Sequence, residues 1–402
     1  FYGGSAITIG GICEIQGNVF GGSNATATSK GSGTANTRIT IAGSSAKVTK
    51  GAIYGGSNGV VNSNDTTTGY INGSTNVNIG SITANIYGGG YNCGVSGQTN
   101  VSIGGTVNGE VYGGGYQSYV GTTTNITITG NPRKNIYGGG QSTATTKAGV
   151  GKQNGSSWVA GSTNIKFNSG IFSVKGNTTY KIYGGNNNES LASDEVLKEN
   201  TNITVGVVGS ANKPYIYGEI YGGGVYDKIN TAHITAICNN TTNDKGVIYG
   251  RLTIYGGSDI DNQCEQSNIE IKGAVIEEVY GGEKVNGTIK NTNITFSSGT
   301  ANNIYGGGNE NSNVTKTTVK VTGGSVGNVY GAGLNGNSNE TNITVSGAVI
   351  TNVYGGENNT NNSELITPKT NITMTSGNVT NIFGAGLNSG ATQTNVKASS
   401  GY

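Results

Sequence analysis

Few side chains in this sequence have types and spacing that could support catalysis or metal binding. His233 is the single histidine among 402 residues, and no Ser or Cys motif marks it as the base of a catalytic triad. We predict a polar loop residue there. Cys13, Cys93, Cys238 and Cys264 lack the CxxC spacing of zinc sites. In an oxidising environment Cys238 and Cys264 could staple neighbouring repeats, although their offsets from the preceding tyrosines differ by eight residues.

Three glutamates could suggest acid–base chemistry. Glu278, Glu283 and Glu357 stand at comparable offsets from nearby tyrosines. General acid–base catalysis needs paired carboxylates at a defined separation within a cleft. Because 21 acidic residues spread along the chain place some of them together by chance, we predict no catalytic residue and no cofactor. A polysaccharide-degrading enzyme stays the third hypothesis, and it would lose its activity without Glu283 or Glu357.

A small acidic group lies in the segment SDIDNQCE. Asp259, Asp261 and Glu265 supply three carboxylates within seven residues, and oxygen ligands of this kind suit calcium. The glycine spacing of calcium-binding loops is absent, so this trio is only a weak calcium candidate. We otherwise expect no metal site.

Composition excludes several classes of partner. The net charge of +2 and the pI near 8.2 do not provide the clustered basic surface that nucleic acid requires. No run approaches the roughly 20 apolar residues that span a bilayer, so we expect no membrane insertion. Abundant Gly, Asn, Thr and Tyr with one Met and one Trp resemble the economy of secreted surface proteins. The first residue is Phe rather than Met, so we expect that a leader or further sequence is missing.

A periodic aromatic residue followed by glycines organises the chain. The segment NIYGGG at 135–140 has near-copies throughout. Consecutive aromatics are 25 residues apart from Tyr87 to Tyr137 and from Tyr255 to Tyr330. A fixed period of this length is typical of solenoid proteins. The aromatic positions are Tyr2, Phe20, Tyr54, Tyr87, Tyr112, Tyr137, Tyr183, Tyr221, Tyr255, Tyr280, Tyr305, Tyr330, Tyr354 and Phe383.

A second element follows each aromatic by about 15 residues. Segments such as TNITI at 124–128 and TNITF at 292–296 alternate polar and apolar residues. This pattern predicts a strand with Ile126 and Ile128 directed inward and Asn125 and Thr127 outward. A third segment precedes the aromatic, as in VGNV at 326–329, and its apolar residues are three apart, which indicates a corner.

Together these elements predict an all-β fold, a single parallel β-helix (β-solenoid) of about 14 coils of roughly 25 residues. Residues 1–402 would form one continuous solenoid, about 65–70 Å long at roughly 4.8 Å per coil. Longer steps between aromatics predict inserted loops near 24–50, 57–75, 141–162, 186–200 and 225–247.

Stacked coils place equivalent side chains above one another. We predict that Ile points into the coil, that the aromatic points outward, and that the glycines turn the chain sharply. The aromatics would form an outward structural ladder. An exposed tyrosine row could also dock sugars or a partner. The predicted ladder consists of Tyr54, Tyr87, Tyr112, Tyr137, Tyr183, Tyr221, Tyr255, Tyr280, Tyr305, Tyr330, Tyr354 and Phe383.

Asparagines on the outward strand face have two interpretations. Stacked Asn side chains can hydrogen-bond to one another along a solenoid without any ligand. The same residues also match the Asn-x-Ser/Thr acceptor of N-glycosylation. The candidates for glycosylation are Asn125, Asn202, Asn293, Asn342 and Asn371.

Neither end of the sequence reads as a capping coil, and an open solenoid end exposes core and strand edges. The sequence starts inside an aromatic corner with Phe1 and Tyr2 and stops after a strand-like segment containing Val396 and then Tyr402. Two hypotheses follow. Subunits stack head to tail, each completing the next, or the chain is an excerpt of a longer adhesin.

The alternation of TNIT with NIYGGG resembles the repeat arrays of large cell-surface and adhesin-like β-helix proteins of anaerobic bacteria and archaea. The resemblance covers the whole chain, carries no functional residue, and implies a surface or extracellular role. We expect a non-enzymatic extracellular structural protein whose partner is itself, in a filament, sheath or surface layer. An adhesin that binds glycan through Tyr or Asn/Thr rows is the alternative, and ice binding ranks last because Asn interrupts the Thr array.

Overall fold

All regular elements of the described residues are β-strands. The computed structural model describes residues 4–24, 36–43, 46–59, 70–142, 149–154, 157–172, 180–188, 199–238, 252–260, 263–361 and 365–399, with the backbone alone at 149–160. These residues contain no helix, which confirms the all-β prediction. In the same ranges, therefore, no helix has the length and hydropathy needed to cross a membrane.

The chain divides into two compact units. The first unit comprises Phe1–Ser173, Tyr180–Ile203 and Gly224–Lys228, and the second comprises Val174–Thr179, Thr204–Gly223 and Ile229–Tyr402. Each unit contains a large sheet built from strands of successive repeats. Within each unit neighbouring strands of this sheet pair in parallel, as Ser5–Ile9 does with Thr37–Ile41 in the first unit and Gln263–Tyr280 with Thr288–Tyr305 in the second.

The strands of the large sheet fall into two sets. The first set carries the TNIT-like segments: Ser5–Ile9, Thr37–Ile41, Thr75–Ile79, Thr99–Ile103, Thr123–Ile128, Ser162–Phe167, Glu199–Val205, Lys228–Ala236, Gln263–Tyr280, Thr288–Tyr305, Asn313–Val321, Ser338–Val345, Ile366–Met374 and Gly390–Ala398. The second set ends on the periodic aromatic: Val19–Phe20, Ala52–Tyr54, Asn85–Tyr87, Val111–Tyr112, Ile136–Tyr137, Tyr180–Tyr183, Gly218–Tyr221, Leu252–Tyr255, Ser325–Tyr330, Ala348–Tyr354 and Gly377–Phe383. Gln263–Tyr280 and Thr288–Tyr305 are long enough to serve both sets.

Shorter strands form small separate sheets. They are Glu14–Ile15 with Lys47–Val48, Thr106–Val107 with Asn131–Pro132, and the group Tyr119–Val120, Gly149–Asn154 and Ser157–Ala160. Two further short strands are Ile171–Phe172 in the first unit and Tyr215–Ile216 in the second. The pair Gly149–Asn154 and Ser157–Ala160 is antiparallel.

The predicted alternation of the TNIT-like strands is confirmed. Along Thr123–Ile128 exposure alternates between half-buried and buried, with Ile126 and Ile128 fully buried. Equivalent residues pair directly in neighbouring repeats, as Asn268 with Asn293 and Tyr280 with Tyr305. The core is therefore built from vertical rows of Ile and Val, because the sequence period equals one step of the parallel sheet.

Three of the predicted inserted loops contain strands. Thr37–Ile41 lies within the predicted loop 24–50, Lys228–Ala236 lies within 225–247, and the antiparallel pair at 149–160 lies within 141–162. The first two were missed because their surrounding steps are long, although TRITI and HITA still alternate. Of the remaining loops, 60–69 and 189–198 lie outside the described residues.

The glycine directly after each aromatic is required by close approach rather than by an unusual turn. A Cβ on Gly113 would lie 2.2 Å from the Gly138 carbonyl oxygen of the next repeat. The chain bends at Gly113, as predicted, but Gly113 is not among the positive-φ residues, so the bend does not itself require glycine. Backbone hydrogen bonds such as Gly113 N–H to Tyr137 O, 2.9 Å, bring the two repeats this close.

Candidate functional site

The periodic aromatic rings stack into a ladder within each unit. In the first unit the centroids from Phe20 to Tyr183 are 4.6–5.0 Å apart with interplanar angles of 2–11°. In the second unit the rings from Tyr221 to Phe383 are 4.7–5.0 Å apart at 4–9°. The spacing of parallel strands therefore brings neighbouring rings into face-to-face contact.

The tyrosine ladder is buried, so the predicted exposed platform is wrong. From Tyr54 to Tyr330 the ladder tyrosines are 0–6% exposed. In two repeats of the first unit the chain after the corner folds over the rings: Tyr91 contacts Tyr54 edge-on at 5.4 Å, and Tyr116 contacts Tyr87 at 6.1 Å. Since the ring faces are occupied by neighbouring rings, no sugar can stack on them.

Carboxylates two residues before three of the tyrosines accept the phenol hydrogen bond. Tyr112 donates to Glu110 Oε2 at 2.7 Å, Tyr221 to Glu219 Oε2 at 2.6 Å, and Tyr280 to Glu278 Oε2 at 2.7 Å. The two residues of each pair lie on the same face because side chains alternate along a strand.

The phenols of Tyr112 and Tyr280 are held in the neutral form. Burial raises the pKa of Tyr112 and of Tyr280 well above the usual range, and the adjacent Glu110 and Glu278 carboxylates raise it further. Both causes disfavour a phenolate, because one removes water from it and the other places a like charge beside it.

An inward row of Thr and Ser hydroxyls was missed by the sequence prediction. Thr124, at the start of a TNIT segment, is 0% exposed, and its Oγ1 donates to Gly138 O at 2.5 Å. Thr292 makes the same bond to Gly306 O at 2.5 Å. These hydroxyls satisfy the carbonyl of the glycine after the aromatic. The sequence signal that could have predicted these buried hydroxyls is the recurrence of Thr two residues before the inward Ile.

The third residue after the aromatic forms a polar corner inside the fold. In three repeats a polar side chain at this position accepts the backbone N–H of the equivalent corner in the preceding repeat, whereas Glu357 accepts the Thr367 hydroxyl instead. Ser57 Oγ accepts from Ser23 N–H at 3.1 Å, Asn186 Oδ1 from Gly140 N–H at 2.8 Å, and Glu283 Oε2 from Ser258 N–H.

When this third residue is glycine, a later side chain takes over the corner. After Gly224, Asp227 Oδ2 accepts the Asn186 N–H at 2.6 Å, and after Gly308, Ser312 Oγ accepts the Glu283 N–H at 3.3 Å. A Cβ on Gly308 would lie 2.3 Å from Ser312 Oγ. Glycine therefore provides the space that the later polar residue occupies.

The corner in the first unit concentrates two acidic groups around one amide. Asn186 Nδ2 donates to Glu199 Oε1 at 3.0 Å and to both oxygens of Asp227 at 3.2 Å. Asn186 and Glu199 are 0% exposed and Asp227 is 4% exposed. Burial raises the pKa of Asp227 to about 6, while the Asn186 hydrogen bonds oppose that rise.

The three glutamates considered for acid–base chemistry have separate partners. Glu278 accepts the Tyr280 phenol, Glu283 accepts the Ser258 N–H, and Glu357 accepts the Thr367 hydroxyl. Glu283 and Glu357 are both 0% exposed, so neither carboxylate lines an open cleft. Glu283 and Glu357 each stand three residues after a ladder tyrosine, and each side chain makes a hydrogen bond inside the fold there.

The weak calcium candidate is not supported by the described residues. Asp259 Oδ1 lies 3.8 Å from Lys284 Nζ, and Glu265 Oε2 lies 2.5 Å from Lys290 Nζ. Asp261 lies outside the described residues. Within the described ranges no cluster of three or more His, Cys, Asp and Glu could hold a metal ion.

The cysteines and the histidine have no catalytic arrangement. All four cysteines are free thiols, so the suggested staple between Cys238 and Cys264 is not formed. Burial raises the pKa of Cys93 and of Cys238 to about 12. His233 is exposed on the strand Lys228–Ala236 rather than on the predicted loop, and its Nε2 lies 3.5 Å from Thr235 Oγ1.

The outward asparagines form the predicted hydrogen-bonded rows. Asn125 Nδ2 donates to Asn100 Oδ1, Asn202 to Asn164, Asn293 to Asn268 and Asn371 to Asn342, each at 3.0 Å. Asn342 Nδ2 instead donates to Thr317 O at 3.3 Å. N-glycosylation would replace one of the two Nδ2 hydrogens of such a side chain and leave the other to donate, so glycosylation at these positions stays a prediction.

The residues proposed for end-to-end assembly are only partly described. Phe1, Tyr2 and Tyr402 lie outside the described residues. Val396 pairs with Ile372 and is 52% exposed, whereas Ile343 and Ile372 in the same row are 1% exposed. Phe383, the last described rung of the ladder, is 45% exposed.

No family model matches the chain, and comparisons with curated proteins and with solved structures give no match.

Proposed function

We propose that the chain is an extracellular structural protein, a single β-solenoid of about 14 coils that assembles head to tail into a surface filament, sheath or layer. The observation that carries this proposal is the repetition of bonded rows. Each Tyr ring stacks on the equivalent ring one repeat away, and each Asn amide donates to the equivalent Asn. The Thr hydroxyl donates to the carbonyl of the glycine that follows the next aromatic. Such rows make one repeat a template for the next.

A further repeat laid on the last described strand would continue these rows. It would cover Phe383 and Val396, which are 45% and 52% exposed, and pair with Gly390–Ala398 along its open edge. In the proposal this repeat comes from a second copy of the chain. The interface is then a parallel sheet with an apolar row beside it, and it needs no charged partner.

Electron microscopy of the full chain, isolated without denaturant, tests the assembly. We expect long uniform fibres or tubes with the axial repeat predicted from fourteen coils. Val396→Asp should abolish them, because it places a charge in the apolar row. Val349→Asp is the matched control, since Val349 is similarly exposed, at 54%. Single rods at high concentration, or fibres equally sensitive to both substitutions, would contradict the proposal.

Glycan binding is the second candidate, and a groove in the second unit favours it. The groove has a volume of about 650 Å³ and is lined at successive repeats by Gln263, Thr288, Asn313 and Asn337. Amides and hydroxyls spaced along a groove suit the hydroxyl groups of a neutral sugar chain. A glycan array probed with the full chain should then show binding that Thr288→Ala with Asn313→Ala removes. Unchanged binding in that double variant would exclude the groove.

A further inference from the structure

The tyrosine ladder of the second unit is a continuous path of oxidisable rings. From Tyr354 through Tyr330, Tyr305, Tyr280 and Tyr255 to Tyr221, successive centroids are 4.7–5.0 Å apart. The interplanar angles of 4–9° keep the ring faces in overlap. Overlapping π-systems at this distance allow an electron to pass from one ring to the next.

Tyr280 and Tyr221 each have a proton acceptor in place. The Tyr280 phenol donates to Glu278 Oε2 at 2.7 Å and the Tyr221 phenol to Glu219 Oε2 at 2.6 Å. A tyrosine that loses one electron becomes a strong acid, so a ring that keeps its proton holds the vacancy only briefly, and the radical is stabilised where the phenol proton can leave. A carboxylate within hydrogen-bond reach can take that proton directly.

The two pairs differ in the charge around them. Lys284 Nζ lies 3.0 Å from the Tyr221 hydroxyl, 3.2 Å from Glu219 Oε2 and 5.8 Å from the Tyr221 ring centroid. This cation opposes the loss of an electron from Tyr221 and competes for its carboxylate. Glu278 receives, besides the phenol, the neutral Asn303 amide at 3.2 Å. Tyr280 is therefore the ring that loses an electron and a proton most easily.

The ladder also has an accessible end. Tyr354 is partly exposed, whereas Tyr280 and Tyr221 are 1% and 0% exposed. Phe383 stacks on Tyr354 at 4.8 Å but has no phenol to oxidise. An oxidant in solution therefore meets Tyr354 first, and the buried rings lie behind it.

We propose that this ladder is a one-electron relay which quenches oxidants of the class of high-valent metal complexes and oxygen-centred radicals. The oxidant withdraws an electron at Tyr354, and the electron vacancy moves through Tyr330 and Tyr305 to Tyr280, where the phenol proton passes to Glu278. The activity is additional to the structural role and does not depend on assembly.

The reaction balances at each step. The oxidant takes one electron from Tyr354, and each intermediate ring then gives one electron to its oxidised neighbour while keeping its proton. At Tyr280 the O–H bond breaks and a Glu278 Oε2–H bond forms. The net products are the reduced oxidant, the neutral Tyr280 radical and protonated Glu278. A one-electron reductant of the ascorbate class, together with the proton from Glu278, restores Tyr280.

The first test removes the proton acceptor. Photogenerated ruthenium(III) tris-bipyridine is the oxidant, and transient absorption with electron paramagnetic resonance follows the tyrosyl radical in the full chain. Glu278→Gln keeps an acceptor oxygen but removes the base, so radical formation should slow about 100-fold and its solvent deuterium isotope effect should change. Glu277→Gln, at the neighbouring position, should leave both unchanged. Equal kinetics in the wild type and Glu278→Gln would overturn the proposal.

The second test interrupts the path without disturbing the stack. Phenylalanine already occupies ladder positions at Phe20 and Phe383, so Tyr330→Phe should keep the fold while removing an oxidisable ring. The radical should then remain at Tyr354 and its lifetime should shorten, whereas Tyr217→Phe outside the ladder should have no effect. Tyr280→Phe should remove the long-lived radical signal. Unaltered formation of that signal in Tyr330→Phe would refute the relay.

Discussion

In both units a buried backbone N–H at the polar corner needs an acceptor, and the two units provide acceptors of different charge. In the first unit the Asn186 backbone N–H is accepted by Asp227, and Glu199 lies on the other side of the Asn186 amide. In the second unit the Ser258 N–H is accepted by Glu283, whose own N–H is accepted by the neutral Ser312 hydroxyl. One corner places two carboxylates on a single side chain, and the other alternates a carboxylate with a hydroxyl.

The difference shows that the repeat requires a hydrogen-bond acceptor at the corner but does not require one particular residue type. A buried backbone donor must find an acceptor, and Asn, Asp, Glu and Ser all provide one. The choice of acceptor then decides how the stability of each unit responds to pH and to truncation. Charged acceptors bind more strongly and cost more when they are removed.

Removing the acceptor in the first unit should have the largest effect. Asp227→Ala leaves both the N–H and the Nδ2–H of Asn186 without this partner, and we expect a loss of about 3 kcal/mol in unfolding free energy. Native-state amide exchange at Asn186 measures it locally, which avoids assuming two-state unfolding of a chain with two units. Asp227→Asn keeps an acceptor oxygen and should lose less than half as much. A similar loss in both variants would mean that packing, not the hydrogen bond, holds this corner.

The pH dependence of the unfolding free energy should give the second-largest difference between the units. Burial raises the pKa of Asp227 from 3.8 in the unfolded chain to about 6 in the folded protein, so the folded state binds the proton more tightly. This contribution to stability is complete below pH 3.8 and is lost as the pH rises through 6. It corresponds to about 3 kcal/mol.

Urea denaturation of the wild type and of Asp227→Asn, each from about pH 3 to about pH 8, measures this contribution to stability. The difference between the two proteins should change across that window and level off above pH 7. A constant difference would contradict the assignment to Asp227.

Truncating the carboxylate in the second unit should cost less. Glu283→Ala removes the acceptor of the Ser258 N–H, and we expect a loss of about 2 kcal/mol, measured by amide exchange at Ser258. Glu283→Gln retains an acceptor and serves as the control. If Glu283→Ala proved as stable as the wild type, the corner would not depend on this bond.

The neutral partner should give the smallest effect. Ser312 Oγ accepts the Glu283 N–H at 3.3 Å, so Ser312→Ala should lower the stability of the second unit by about 1 kcal/mol. Thermal unfolding of Ser312→Ala and of Asp227→Ala, measured side by side, checks that Ser312→Ala loses less stability. A loss as large as that of Asp227→Ala would remove the distinction between charged and neutral corners.

Much of the strand arrangement follows from the pattern of the sequence. The 25-residue steps predicted that equivalent residues align, and Tyr280 pairs with Tyr305 as expected. The period of two identified Ile126 and Ile128 as core residues. These predictions succeeded because they depend on periodicity, which a parallel sheet converts directly into rows. The strands Thr37–Ile41 and Lys228–Ala236 were missed where long steps obscured the period.

The candidate site was less predictable. Glu283 and Glu357 attracted notice through their offsets, but their complete burial was not foreseen, since a glutamate after glycines usually indicates a surface turn. The acceptor role of Asp227 was missed for a different reason. Its carboxylate fits only because Gly224 has no side chain, and it accepts the N–H of Asn186, which lies in the preceding repeat.

The sequence alone determined the class of the fold, the period and the identity of the stacked rows, because each of these depends on regular spacing along the chain. Only the tertiary structure decided that the tyrosine ladder is covered, that the Thr hydroxyls point inward to the glycine carbonyls, and which acidic side chains lie inside. The physical reason is that burial depends on what the following segment folds over. Tyr91 covers Tyr54 at 5.4 Å through a contact that no local pattern encodes.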